Sequence, residues 1–157
     1  MTKKPTINLV RKSVKRADGK VLQAMKPLYA TDGANGADIY AFLPLAESMT
    51  IEPDFVGKVP TGLSIELPQG YGLFILPRSG RGGQKQIIPN APGLIDMDYR
   101  GELIVQIFNQ TGLPLTINHG ERIAQVCILE IPQAEWLDCQ SLSDTVRGEN
   151  GLGSTKG

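Results

Sequence analysis

Three observations predict an all-β barrel or sandwich built from short strands. First, 18 glycines and 11 prolines among 157 residues arrive as punctuation between apolar segments. Second, those segments are short and carry strand character at regular spacing. Third, no long segment shows helical periodicity.

Taken in order, residues 1–26 are basic and weakly patterned, suggesting one strand plus a loose arm. "GADIYAF" (residues 36–42) leads from a glycine-rich turn into a strand. "VPTGLSIEL" (59–67) alternates and should place Val59, Thr61, Leu63, Ile65 and Leu67 on one face. "YGLFILP", "ELIVQIF", "LPLTI" and "RIAQVCILEI" are more continuously apolar, as strands buried on both faces would be. "PQAEWLDCQ" (132–140) is the best helical candidate, and it is short. One β domain is therefore expected over residues 1–146. Residues 147–157, "RGENGLGSTKG", carry too little apolar surface to offset their ordering entropy and should form a mobile glycine-rich C-terminal arm.

Sixteen basic residues balance sixteen acidic ones, so no global field favours nucleic acid or a membrane surface. No apolar run has the length of a bilayer span, and the first residues lack the core of a signal peptide. Cys127 lies in an apolar run and reads as a buried free thiol, which fits a reducing compartment. A cytoplasmic protein is expected. His119 is the single histidine, which excludes histidine-based triads and zinc sites needing several imidazoles.

Five stretches carry polar chemistry, each with an ordinary alternative. In "LPRSGRGG" (76–83), Arg78 and Ser79 precede glycines whose backbone N–H groups could converge on phosphate oxygens. A glycine-rich turn with a solvated arginine accounts for it equally well. In "GLIDMDYRGEL" (93–103), Asp96 and Asp98 stand two apart, and one could serve as a general base on water. The plain alternative is a solvated hairpin turning at Tyr99-Arg100-Gly101. Asp38 interrupts an apolar strand start, where turn capping is the default role. Arg122 and Gln125 open an apolar strand, either as hydrogen-bonding supports or as solvent-facing positions. Arg147, Ser154, Thr155 and Lys156 lie among tail glycines, suited to folding around an anion or simply unordered.

Singly weak, these stretches are specific in their order. "GADIYAF", "PRSG", "NAPGLIDMDYRGEL", "GERIAQ" and "RGENGLGSTKG" together resemble the five ordered motifs of the trimeric dUTPase family, from about residue 27 to the C-terminus. The resemblance implies a jelly-roll fold and a homotrimer with active sites shared between subunits. It also implies dUTP as substrate, hydrolysed to dUMP and pyrophosphate with Mg²⁺. Asp96 would be the general base and Tyr99 would stack on the deoxyribose. The hairpin around Gly93, Leu94, Ile95 and Ile104 would read uracil, with Asn90 nearby. Arg78, Ser79, Gly80 and Gln125 would hold the phosphates, and Asp38 would help hold Mg²⁺ through its waters. The tail, with Arg147, Leu152, Ser154 and Thr155, would close over a neighbouring subunit's site.

Three positions depart from the family pattern. Arg81-Gly82-Gly83 stand where the family usually runs Leu-Ala into a short helix, and each glycine disfavours a helical turn by about 1 kcal/mol. A looser phosphate loop, or a phosphate contact from Arg81, is the expectation. Leu152 replaces a phenylalanine that stacks on uracil, and Lys156 lengthens the usual ending. A dCTP deaminase or bifunctional relative, and a low-activity nucleotide-sensing paralogue, remain as alternative readings.

Overall fold

The computed structural model describes residues 4–83 and 86–151. In chain order the first strands are β1 (Asn8–Arg11), β2 (Ser13–Lys15), β3 (Val21–Gln23) and β4 (Leu28–Tyr29). Next come β5 (Ala37–Tyr40), β6 (Ser48–Ile51), β7 (Val56–Glu66) and β8 (Tyr71–Leu76). A five-residue helix, α1 (Ser79–Gly83), precedes β9 (Gln86–Ile87) and β10 (Gly93–Ile95). The set closes with β11 (Glu102–Asn109), β12 (Leu115–Asn118) and β13 (Arg122–Glu130).

Two sheets dominate. One is ordered β1-β7-β11-β9 and the other β10-β8-β13-β5-β4, with pairs β12-β6 and β2-β3 beside them. Neighbours pair antiparallel, and most are distant in sequence, giving a jelly-roll-like sandwich. One core joins the sheets: Val59, Leu63, Val105 and Ile107 come from the first, and Ile39, Leu73, Ile75 and Val126 from the second. Burying each such side chain fully contributes about 1.5–3 kcal/mol.

The alternation expected in β7 is present. Val59, Thr61, Leu63, Ile65 and Leu67 are all buried. Thr61 survives there because its hydroxyl donates to the Leu103 carbonyl at 2.7 Å. Asn109 is likewise fully buried, and its amide donates to the carbonyls of Ile51 (2.8 Å) and Leu113 (2.7 Å). His119 closes the turn before β13, where its Nδ1 accepts the Leu43 N–H at 2.9 Å.

Four expectations need correction. The apolar strands are not covered on both faces: β8, β11 and β13 alternate, and Ile104 and Leu129 stay exposed on the chain by itself. The N-terminal segment forms three short strands, because β1 finds the edge of β7 and β2 folds onto β3. "PQAEWLDCQ" forms neither helix nor strand, and its apolar side chains, Trp136 and Leu137, stay exposed among the described residues. A helix forms instead at Ser79–Gly83, where the glycines argued against one.

Candidate active site

The sequence candidates gather in two places. The first is the hairpin joining β10 to β11. Gly93, Leu94 and Ile95 pair with Ile75, Phe74 and Leu73 of β8, which fixes where the following turn emerges. That turn is closed by the Tyr99 N–H donating to the Asp96 carbonyl at 3.2 Å. It is not extended, so Asp96 and Asp98 do not share a face through strand alternation. Both nevertheless line one concavity of about 560 Å³, together with Leu94, Ile95 and Met97. Tyr71, Gly72, Gln69 and Gln133 also line it. The Glu130 carboxylate accepts the Tyr71 hydroxyl at 2.8 Å, which holds that phenol above its ordinary 10.0.

Asp96 is exposed, and no hydrogen bond or ion pair engages its carboxylate among the described residues. Tyr99 differs. Its hydroxyl donates to the Glu102 carbonyl at 3.0 Å, so the ring lies back over the hairpin. A Cβ on Gly101 would stand 2.3 Å from that hydroxyl oxygen, so glycine is what lets the ring lie there. The Asn90 amide lies beside Gly93 at the root of the hairpin, 3.2 Å from where a Cβ would sit. Ile104 follows a register shift in β11, between Glu102, opposite Ser64 of β7, and Ile104, opposite Pro60.

The second place is a shallower concavity of about 370 Å³ lined by Gly36, Asp38, Arg78, Ser79, Gly80, Arg122 and Gln125 among others. Asp38 comes from β5 and Gln125 from β13, opposite one another in register. Arg78 follows β8, and its Nε donates to Asp38 Oδ1 at 2.8 Å. Arg122 Nη1 reaches Asp38 Oδ2 at 3.3 Å. The Gln125 amide donates to the Pro77 carbonyl at 2.9 Å and so braces the start of the Arg78–Gly80 turn. A Cβ on Gly36 would fall 2.5 Å from Gln125 Oε1, so a side chain here would push the Gln125 amide aside.

Two guanidinium groups, one hydroxyl and a glycine turn around one carboxylate make an anion-facing surface. As a metal ligand Asp38 is constrained, since both its oxygens already engage arginines. Among the described residues no cluster of three or more His, Cys, Asp or Glu side chains could hold a metal ion. A hard cation at this surface would need oxygen ligands beyond Asp38.

Arg81 does not face this concavity, contrary to the expected phosphate contact. It is buried, and its fork serves Gln86, Glu121 and the Arg122 carbonyl. Neither Glu121 nor the structural use of Arg81 was apparent from the sequence; an arginine between glycines was the one available signal. Arg147 lies in the described residues, where its Nε donates to the Asn150 carbonyl at 3.0 Å and it approaches neither concavity's lining. Leu152, Ser154 and Thr155 lie outside the described residues.

The two concavities share no lining residue. Asp96 emerges opposite the start of β8 and Arg78 follows its end, which separates them by roughly 20 Å of extended strand.

The fold is a jelly-roll-like sandwich with an exposed carboxylate on one hairpin and an arginine-bearing glycine turn at the far end. The dUTPase family model matches residues 23–156, and the chain belongs to the dUTPase family. A deoxyuridine 5′-triphosphate nucleotidohydrolase of Beijerinckia indica is 41% identical over 145 residues, 92% of this chain and 88% of the relative. The fold is similar to that of the Staphylococcus bacteriophage 80alpha dUTPase with dUpNHpp. That match has a TM-score of 0.77 and 24% identity, over 96% of this chain and 98% of that one. It is also similar to a dUTPase from phage phi11 of S. aureus, described with a structural Mg(II) ion. There the TM-score is 0.68 at 21% identity, over 87% of this chain and 97% of that one. Among the described residues no helix is long and apolar enough to cross a membrane.

Proposed function

We propose that this chain hydrolyses dUTP to dUMP and pyrophosphate, removing dUTP from the nucleotide pool and supplying dUMP for dTTP synthesis. The observation that carries the reading is the hairpin itself. It holds an unengaged carboxylate, Asp96, three residues before a ring fixed by its own hydroxyl, Tyr99. A solvated turn needs neither. Main-chain groups around Gly93–Ile95 and Ile104, with the Asn90 amide, read the uracil edge. The Tyr99 ring packs on the deoxyribose where a 2′-hydroxyl would otherwise sit. Asp96 takes a proton from water as that water attacks the α-phosphorus. Arg78, Ser79 and the Gly80 backbone take up charge on the departing pyrophosphate, with Gln125 bracing their turn. Asp38 keeps Arg78 and Arg122 aimed, and would help to hold Mg²⁺ through water. When bound, Mg²⁺ neutralises charge on the triphosphate.

The site is shared between copies. A triphosphate is far too short to bridge the roughly 20 Å between the hairpin and the arginine turn within one chain. The exposed apolar side chains of Leu94, Ile104 and Leu129 on the sheet faces are consistent with cover by neighbours. A homotrimer is proposed, with the arm from Arg147 through Leu152, Ser154 and Thr155 closing a neighbour's site. Free Cys127 and Cys139 accord with a cytoplasmic location.

Pyrophosphate release from dUTP, dTTP, dCTP and UTP, with and without Mg²⁺, tests the reading. Selective release from dUTP is expected. Ammonia from dCTP would identify a deaminase instead, and dUTP binding without turnover would leave a nucleotide sensor.

A further inference from the structure

Arg81 is charged but only 9% exposed, and no step of the proposed chemistry uses it. Its Nε donates to the Arg122 carbonyl at 2.9 Å, Nη1 donates to Gln86, and Nη2 pairs with Glu121. The second oxygen of Glu121 accepts the Asn118 N–H at 2.8 Å, so the turn leading into β13 is tied to the same group. Arg122, whose carbonyl Arg81 holds, sends its own side chain to Asp38, and Asp38 holds Arg78. One buried fork thus joins the α1 turn, the head of β13 and the carboxylate that aims Arg78.

Local preference does not account for α1. Three of its five residues are glycines, and each disfavours helix by about 1 kcal/mol. An apolar side chain would fill the space beneath the turn without desolvating a charge. A planar fork meeting three acceptors, on β9 and at the head of β13, does something filling cannot: it sets the direction in which the turn leaves β8.

We propose that Arg81 is a positioning residue for the phosphate-binding turn, holding Ser79 and Gly80 in register with Arg78, Asp38 and Gln125. The proposal rests on the reading of that turn as the phosphate site. Arg81 touches no phosphate itself. Loss of the fork should therefore impair the triphosphate chain and leave recognition of the base unchanged.

The test compares Arg81→Met, Arg81→Lys and Glu121→Gln with wild type in the full-length protein. The readouts are kcat/KM for pyrophosphate release from dUTP and the Kd of dUMP, which lacks the two outer phosphates. Arg81→Met should lower kcat/KM by on the order of tenfold or more, as small misplacements of reacting groups do, with dUMP affinity within about twofold. Arg81→Lys keeps the pairing with Glu121 but cannot serve all three acceptors, so it should recover part of the loss. Glu121→Gln should shift kcat/KM in the same direction, and combining it with Arg81→Met should add little. Should Arg81→Met fail to fold, Arg81→Lys and Glu121→Gln carry the same comparison. Variants that melt lower yet keep wild-type kcat/KM would make the network merely structural and overturn the proposal. Equal losses for dUTP and dUMP would overturn it too, by showing general loosening. A wild-type protein releasing no pyrophosphate from dUTP overturns the functional reading and this proposal together. Active wild type with unaltered variants overturns this one alone.

Discussion

Arg78 Nε lies 2.8 Å from Asp38 Oδ1, joining the end of β8 to the middle of β5 across the strand β13 that separates them. The Asp38 side chain is 13% exposed and also takes Arg122 on its other oxygen. Replacing it with Asn removes the one negative charge between two guanidinium groups. Asp38→Asn should cost on the order of 1–2 kcal/mol of stability, between the values for exposed and buried pairs. It should also lower dUTP turnover by about tenfold or more as Arg78 loses its aim. Urea melts and pyrophosphate release measure the two effects, and unchanged turnover would remove Asp38 from the site.

Asp96→Asn keeps the shape of the hairpin but cannot accept a proton from water. Nucleotide affinity should stay near wild type while turnover falls by on the order of a hundredfold or more. Near-normal turnover in the variant would mean that another group is the base.

Gly101→Ala would put a methyl group 2.3 Å from the Tyr99 hydroxyl oxygen. The ring must shift, and with it the packing proposed to refuse a 2′-hydroxyl. Preference for dUTP over UTP should fall by about tenfold, within the range that single steric contacts supply. Competition kinetics with both nucleotides read this directly; an undiminished preference would place sugar selection elsewhere.

Thr61→Val is nearly isosteric but removes the donor to the Leu103 carbonyl, at a position 1% exposed. The carbonyl loses its side-chain partner inside the core, and stability should fall by about 1–3 kcal/mol with activity per folded molecule retained. Leu63→Ala, a cavity in the same strand, should cost about 2–5 kcal/mol. Denaturant unfolding of both variants gives the ranking.

The Glu66 carboxyl is held below its ordinary 4.5, first by the Asn8 amide that donates to it and then by the charge of Arg100. A depressed carboxyl contributes stability that is complete above its unfolded value and fades as pH falls through the lower folded one. Asn8→Ala should therefore raise the Glu66 pKa toward 4.5 in a carbon-13 NMR titration and reduce this acid-range contribution to what Arg100 still supplies. An unmoved titration would show that the amide does not hold the carboxylate in solution.

The alternation of Val59 through Leu67 was legible because strand period and burial depend on the chain's own order of side chains. The same holds for the hairpin, where turn residues and a strand return are adjacent in sequence. Motif order likewise placed Asp38, Arg78, Ser79 and Gln125 on one surface, and the register of β5, β8 and β13 brings them to it. Spacing alone left the Asp96–Asp98 pair open to a plain solvated hairpin, and only the resemblance to the family's ordered motifs singled out Asp96.

Tertiary structure decided what depends on partners distant in the chain. Glycines that disfavour helix by themselves form α1, and Arg81 within it reaches Gln86 and Glu121. Whether an arginine meets solvent, phosphate or a buried carboxylate depends on which strands lie alongside, a matter of register rather than of local pattern. The separation of Asp96 from Arg78 is likewise a consequence of β8 running between them. Short-range preferences determined the strands, the turns and the hairpin; long-range pairing determined which charges stand together.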